Sequence, residues 1–136
     1  MTIDADVARK LGFKDGMRVL VINAPVGYRE ALAAGAPGIA VEAQGETTSG
    51  PRDAVQLFCV SRAELDAHAA AALLAFRPNG LLWVCYPKGS SGVESDLNRD
   101  VDWGPIAAAG FRPVRQVAID EVWSALRFRP ISEVGR

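Results

Sequence analysis

Three short apolar runs constrain this chain more than anything else in it. They are residues 18–25 (RVLVINAP), 54–60 (AVQLFCV) and 81–86 (LLWVCY). Each is rich in β-branched or aromatic residues, is too short for a buried helix, and ends at a proline or a polar turn. Unbroken apolar runs, as opposed to alternating ones, belong to strands covered on both faces. Between the second and third lies a helical segment, 61–76, whose Ser61 stands three residues before Glu64, a pair that can satisfy free backbone donors at a helix start. Leu65, Ala69, Ala72, Leu73 and Phe76 then fall on one stripe facing a sheet. Strand, helix, strand in this order implies a parallel βαβ unit with a right-handed crossover.

The remaining segments extend that pattern. Residues 4–11 have helical spacing and stop at the turn Lys14-Asp15-Gly16; 28–34 form a helix closed by Gly35; 39–43 are a weaker strand, followed by a polar turn at 45–53. After the third apolar run, Pro87 leads into the small polar loop Lys88-Gly-Ser-Ser-Gly92. A helical region in two pieces follows, with Pro105 suited to the start of the second and Gly110 ending it. Residues 114–120 and 123–128 are two extended runs so close together that only an antiparallel hairpin joins them, and 132–136 form a frayed tail. The expected fold is a single α/β domain over 1–136: a three-layer Rossmann-like open sheet of about six mostly parallel strands, with the antiparallel hairpin at one edge.

Composition excludes several functions. Fifteen Lys and Arg against sixteen Asp and Glu leave a net charge of -1, which gives no overall attraction to nucleic acid or anionic lipid. No apolar run reaches the 18 or so residues that span a bilayer and no charged-then-apolar leader opens the chain, so a cytoplasmic location and no membrane partner are expected. Cys59 and Cys85 sit inside strand-like runs and read as buried reduced thiols. His68 is the one histidine, which removes a two-histidine metal site; the cysteine spacing is not that of zinc, and no G-x-S-x-G nucleophile elbow is present. No metal is expected.

From residue 53 onward the strand AVQLFCV, the helix, the step LAFRPNGLLWVCYP and the closing GFRPVRQVAIDEVWSALRF resemble the second half of a class I SAM-dependent methyltransferase. With LGFKDGMRVLVINAPVGY and YPKGSSGVESDLNRD added, the whole chain resembles a family of short bacterial proteins of unknown function that share this fold. The resemblance implies a methyltransferase-like sheet. It departs at the cofactor loop, where methyltransferases of this class carry a Gly-rich turn. Here Asn23-Ala-Pro-Val-Gly-Tyr28 offers only Gly27 as a permissive residue, and Pro25 removes an amide donor. Glu42 stands near the end of the second strand, where the superfamily has an acidic ribose ligand, and the interval before the third strand is too short for the usual additional βα unit.

Ligands of open parallel sheets collect at the carboxyl ends of the strands, near the reversal of strand order. The candidate ligand-binding residues are therefore Asn23, Gly27 and Tyr28 after the first strand, Ser61 and Arg62 after the third, and Tyr86, Lys88, Ser90 and Ser91 after the fourth. Lys88-Gly-Ser-Ser-Gly can present backbone amides and a point charge to an anion, although it lacks the order of a P-loop. Asp96, Asn98, Arg99 and Asp100 form a polar cluster better suited to capping a helix. Arg112, Arg115, Arg127 and Arg129 make one local excess of positive charge around the hairpin; alternation is expected to turn Arg115, Arg127 and Arg129 to solvent with Val117 and Ile119 facing in, and Asp120 and Glu121 offset the charge. Trp123 and Phe128 read as core, so a nucleic-acid strip is not expected.

These residues lead to a module with a reduced methyltransferase-like fold that lacks standard SAM binding and binds a small molecule or a protein. One alternative is a small active SAM-dependent methyltransferase, with Asn23, Gly27 and Glu42 bordering the cofactor and Tyr86 or Lys88 near substrate. The other is a structural or oligomerisation protein. No catalytic residue is assigned by the sequence.

Overall fold

The computed structural model describes residues 1–43, 50–98 and 102–133. Six strands form one sheet: β1 (Arg18–Ile22), β2 (Ala40–Ala43), β3 (Arg52–Phe58), β4 (Phe76–Pro87), β5 (Phe111–Ala118) and β6 (Trp123–Pro130), in the order β2-β1-β3-β4-β6-β5. The first four in that order run parallel; β6 is antiparallel to both β4 and β5, which makes the expected edge hairpin. Among the described residues four helices, α1 (Ala5–Lys10), α2 (Tyr28–Gly35), α3 (Arg62–Ala75) and α4 (Gly104–Ala108), complete the layers.

The two faces of the sheet carry separate cores. Ile3, Leu11, Val19, Val21, Tyr28, Leu32, Phe58 and Trp83 pack on the α1–α2 side, and Leu20, Ile22, Val55, Leu57, Leu65, Trp103, Ile106 and Phe128 on the α3–α4 side. The alternation along β1 therefore fills both faces with apolar side chains, as its unbroken sequence run requires. At about 1.5–3 kcal/mol per fully buried large apolar side chain, these two clusters are the main stabilising term. Trp83 also pins α1 to the sheet, its indole nitrogen donating to the Leu11 carbonyl at 3.0 Å. Gly35 lets the opening segment lie across α2, since a Cβ there would stand 2.0 Å from the Ile3 carbonyl oxygen.

Three boundaries differ from the sequence reading. Residues 77–80 are extended and belong to β4, with Arg52 of β3 opposite Phe76. Pro78 disfavours helix for the residue before it, and Asn79 takes a left-handed φ of 64°, so the chain leaves α3 directly into the sheet. In place of the expected two-piece helical region, the described residues show one short 3-10 turn at Gly89–Ser91, an irregular stretch over 92–98, and then α4 with Pro105 at its start. Ile131–Glu133 form a 3-10 turn, not a frayed end, because Glu133 Oε2 accepts from the Asn79 amide at 3.4 Å. The rest of the expected tail and most of the polar turn at 45–53 lie outside the described residues.

Candidate functional site

Strand order reverses between β1 and β3, so the crevice for a ligand opens at their carboxyl ends. Asn23 leaves β1 there with φ of 59°. Its carboxamide nitrogen donates to the Phe58 carbonyl at 2.9 Å and to Glu64 Oε1 at 3.1 Å, tying the end of β1 to the end of β3 and the first turn of α3. Glu64 is itself fixed: Ser61 Oγ accepts from its amide at 3.2 Å, and its Oε1 accepts from the Val60 amide at 2.8 Å. The Ser61–Glu64 pair legible in the sequence is thus a working helix cap, and Ser61 is occupied by it.

The rest of the first loop divides. Gly27 caps α2 with φ of 86°, and a Cβ on it would lie 4.0 Å from the Met1 Cβ, so the opening residue stands beside this loop. Tyr28 does not face the crevice. It is fully buried in the α1–α2 core, its ring tilted against that of Phe58 with centroids 4.6 Å apart and its hydroxyl donating to Gln56 Oε1 at 2.7 Å. Burial, the largest influence, raises its phenol well above the ordinary value. The phenol is a core group because α2 begins at Tyr28 itself, which turns that side chain inward.

Glu42 is held by two guanidiniums. Arg18 Nε lies 3.0 Å from its Oε2 and Arg52 Nε 2.6 Å from its Oε1, with Arg52 buried and the Glu42 side chain 13% exposed. Arg18 and Arg52 open β1 and β3, so the carboxylate is drawn toward the amino ends of those strands. Burial pushes its pKa up, but hydrogen bonds and charge from Arg18 and Arg52 outweigh this and hold it below the ordinary carboxyl value.

After β3 and β4 the other candidates separate as well. Arg62 anchors the loop that follows β4: its amide donates to Asp96 Oδ1 at 2.8 Å, its Nε to Asp66 Oδ1 at 3.0 Å and its Nη1 to the Asp102 carbonyl at 3.1 Å. Gly104, with φ of 44°, admits this guanidinium, because a Cβ there would be 2.0 Å from Nη2. Asp96 accepts from the first amide of α3, a helix 34 positions upstream that its own sequence context does not indicate; Asn98 is exposed, and Arg99 and Asp100 lie outside the described residues. Val60, Ser61 and residues 94–96 line a cleft of about 350 Å³. Tyr86 is buried against Trp103, with ring centroids 5.6 Å apart, and its hydroxyl accepts from Gln116 Nε2 at 3.0 Å. It faces the α3–α4 core. Ser90 and Ser91 lie on the 3-10 turn, where Ser91 Oγ accepts from the Val93 amide at 3.1 Å.

The larger opening is a groove of about 630 Å³ beyond β4, lined by Lys88, Met1, Thr2 and residues 118–122. Lys88 is positioned by its amide, which donates to the Val122 carbonyl at 2.7 Å. The facing wall is the β5–β6 turn, in which Asp120 Oδ1 accepts from the amides of Val122 and Trp123 at 2.8 and 2.7 Å. Of the candidates named from sequence, Lys88 alone lines this groove. The turn and Met1–Thr2 were not among them; an Asp followed by two residues before the second hairpin strand is the signal that marks a built turn here.

The groups set aside in the sequence behave as structural. Cys59 and Cys85 are buried on opposite faces of the sheet, and burial, then the Glu64 charge, pushes the Cys59 thiol up to about 12. His68 is half-buried on α3. Among the described residues no group of His, Cys, Asp or Glu is arranged to hold a metal, and no helix is long and apolar enough to cross a membrane.

No protein-family model and no curated protein matches the chain. Solved structures do. The SAH complex of DhpI aligns with 93% of this chain and 82% of its own, with a TM-score of 0.53 and 14% identity. A protein-(glutamine-N5) methyltransferase from Alicyclobacillus acidocaldarius gives 92%, 88%, 0.51 and 17% for the same quantities. A SAM-dependent methyltransferase from Aquifex aeolicus gives 93%, 89%, 0.52 and 14%. At such identities the likeness speaks for architecture, and the fold of this chain is that of the class I SAM-dependent methyltransferases.

Proposed function

We propose that this chain is a binding module on a methyltransferase-like fold, which takes a small polar molecule in the groove after β4 and does not hold S-adenosylmethionine in the usual manner. The observation that carries this reading is Asn23, whose carboxamide bridges β1 to β3 and α3 across the point where the strand order reverses. Glu42, occupied by Arg18 and Arg52, supports it, as do Pro25 and the single glycine of the loop. The groove supplies a different set of groups: the Lys88 ammonium, the carboxylates of the 118–122 turn, and an apolar floor from Ile119 and Met1.

A screen of small polar molecules by amide NMR tests the reading. Shifts concentrated at Lys88 and residues 119–122 support it, and hits that move Asn23 to Gly27 instead count against it. A second reading, a small active methyltransferase, draws on neighbours such as the DhpI complex whose structures hold SAH. In that reading Asn23 gives up its internal bonds to border the cofactor with Gly27, and Lys88 stands near substrate.

A further inference from the structure

The hairpin gathers arginines in a way that alternation alone forbids. Arg112 and Arg115 are three positions apart and would point to opposite faces of a regular strand. A register shift between Pro113 and Arg115 inserts one residue, so Arg112 stands opposite Arg129 and Arg115 opposite Arg127. Paired residues share a face, and Arg127 and Arg129 are two apart on β6, so all four lie on one face. That face is the α1 side, because the Arg115 guanidinium sits 5.7 Å over the Trp83 ring and donates to the Lys10 carbonyl. Val117 and Ile119 are on this same face, which corrects the expectation that Arg115 would oppose them.

Among the described residues the cluster is short of acceptors. Among the described residues, Glu133 is the carboxylate within 4.0 Å of any of these guanidiniums, at 3.9 Å from Arg129 Nη2, and its other oxygen already takes the Asn79 amide. Nothing among the described residues accepts a hydrogen bond from the buried Nε atoms of Arg127 and Arg129. Burial, then the positive charges of Arg129 and Arg115, pulls the Arg127 guanidinium below its ordinary value, with Glu133 opposing. Folding has assembled like charges and orphaned donors side by side, a costly arrangement unless something negative completes it.

We propose that Arg112, Arg115, Arg127 and Arg129 form a binding site for a phosphate-bearing small molecule on the α1 side of the β5–β6 hairpin. Guanidinium forks match phosphoryl oxygens in bidentate pairs. The size of the cluster selects the ligand: two residues along a strand span about 7 Å and paired strands lie about 5 Å apart, room for one or two linked phosphoryl groups. Along the strands the charge stops where β6 continues with Ala125 and β5 with Val117, both apolar, which limits its reach in that direction. Arg127 pairs with Trp83 near the amino end of the apolar part of β4, whereas the groove of the proposed function lies beyond its carboxyl end. The two sites therefore stand or fall separately.

Calorimetric titration of the full chain with inorganic phosphate and with inorganic pyrophosphate tests the site, pyrophosphate being expected to bind the tighter. Arg127→Gln is expected to weaken pyrophosphate binding at least tenfold. Arg112→Gln, an exposed change that leaves the fold intact, is expected to weaken it severalfold, and it keeps the test decisive where the Arg127 variant fails to fold. Absence of binding at millimolar pyrophosphate overturns the proposal, and so does binding that Arg112→Gln leaves unchanged. A duplex oligonucleotide binding more tightly than pyrophosphate, with the same arginine dependence, overturns the small-molecule assignment in favour of a polyanion.

Discussion

Asn23 donates its side-chain amide to Glu64 across 41 positions of sequence, at 3.1 Å, while holding a left-handed backbone. The side chain ties the carboxyl end of β1 to the end of β3 and the first turn of α3, and the backbone conformation is one that Asn tolerates better than most residues. Asn23→Gly removes the two side-chain bonds but keeps the turn, at a cost of about 1–2 kcal/mol. Asn23→Ala loses the same bonds and adds about 1 kcal/mol for the left-handed backbone. Urea unfolding of both variants checks this: alanine is expected to be the less stable, and equal midpoints contradict the assignment.

The Glu42 carboxylate makes stability depend on acid. Its pKa is depressed in the folded chain, so its contribution is fully present above the unfolded carboxyl value of about 4.3 and is lost as pH falls through the lower folded value. Glu42→Gln cannot titrate there. Denaturant midpoints measured from pH 7 downward are expected to fall for the wild type over that acid window and to change less for Glu42→Gln. At neutral pH, Glu42→Ala leaves the buried Arg52 without this partner and is expected to cost about 3 kcal/mol.

Tyr28 and Gln56 test the reassignment of the tyrosine from ligand site to core. Tyr28→Phe keeps the ring packed on Phe58 but takes the donor from Gln56 Oε1 in a sealed interior. A loss of about 1–3 kcal/mol in unfolding free energy is expected, with no change in any ligand affinity measured at the groove after β4. An unchanged stability combined with lost ligand binding contradicts the core assignment.

How far the sequence could be read depends on how local each determinant is. The apolar runs of β1, β3 and β4 showed their layer because a strand covered on both faces needs apolar residues in succession. Ser61 and Glu64 showed their cap because a helix start is settled within four residues. The destinations of Tyr28, Tyr86 and Glu42 were hidden, since each depends on a partner from a distant segment: Gln56, Gln116, and Arg18 with Arg52. The groove was missed for the same reason, as the fold alone brings Met1 and the 118–122 turn to Lys88. The arginine cluster was visible in composition, yet its common face depends on a single inserted residue in β5 that no periodicity reveals.

The central claim is that the crevice at the end of β1 is closed to the cofactor of the fold's enzymes, and titration of S-adenosylmethionine into the full chain by calorimetry addresses it directly. No saturable heat is expected at millimolar cofactor, and S-adenosylhomocysteine is expected to behave alike. Micromolar binding, which at a hundredfold excess over Kd also stabilises the chain by about 2.7 kcal/mol, contradicts the claim.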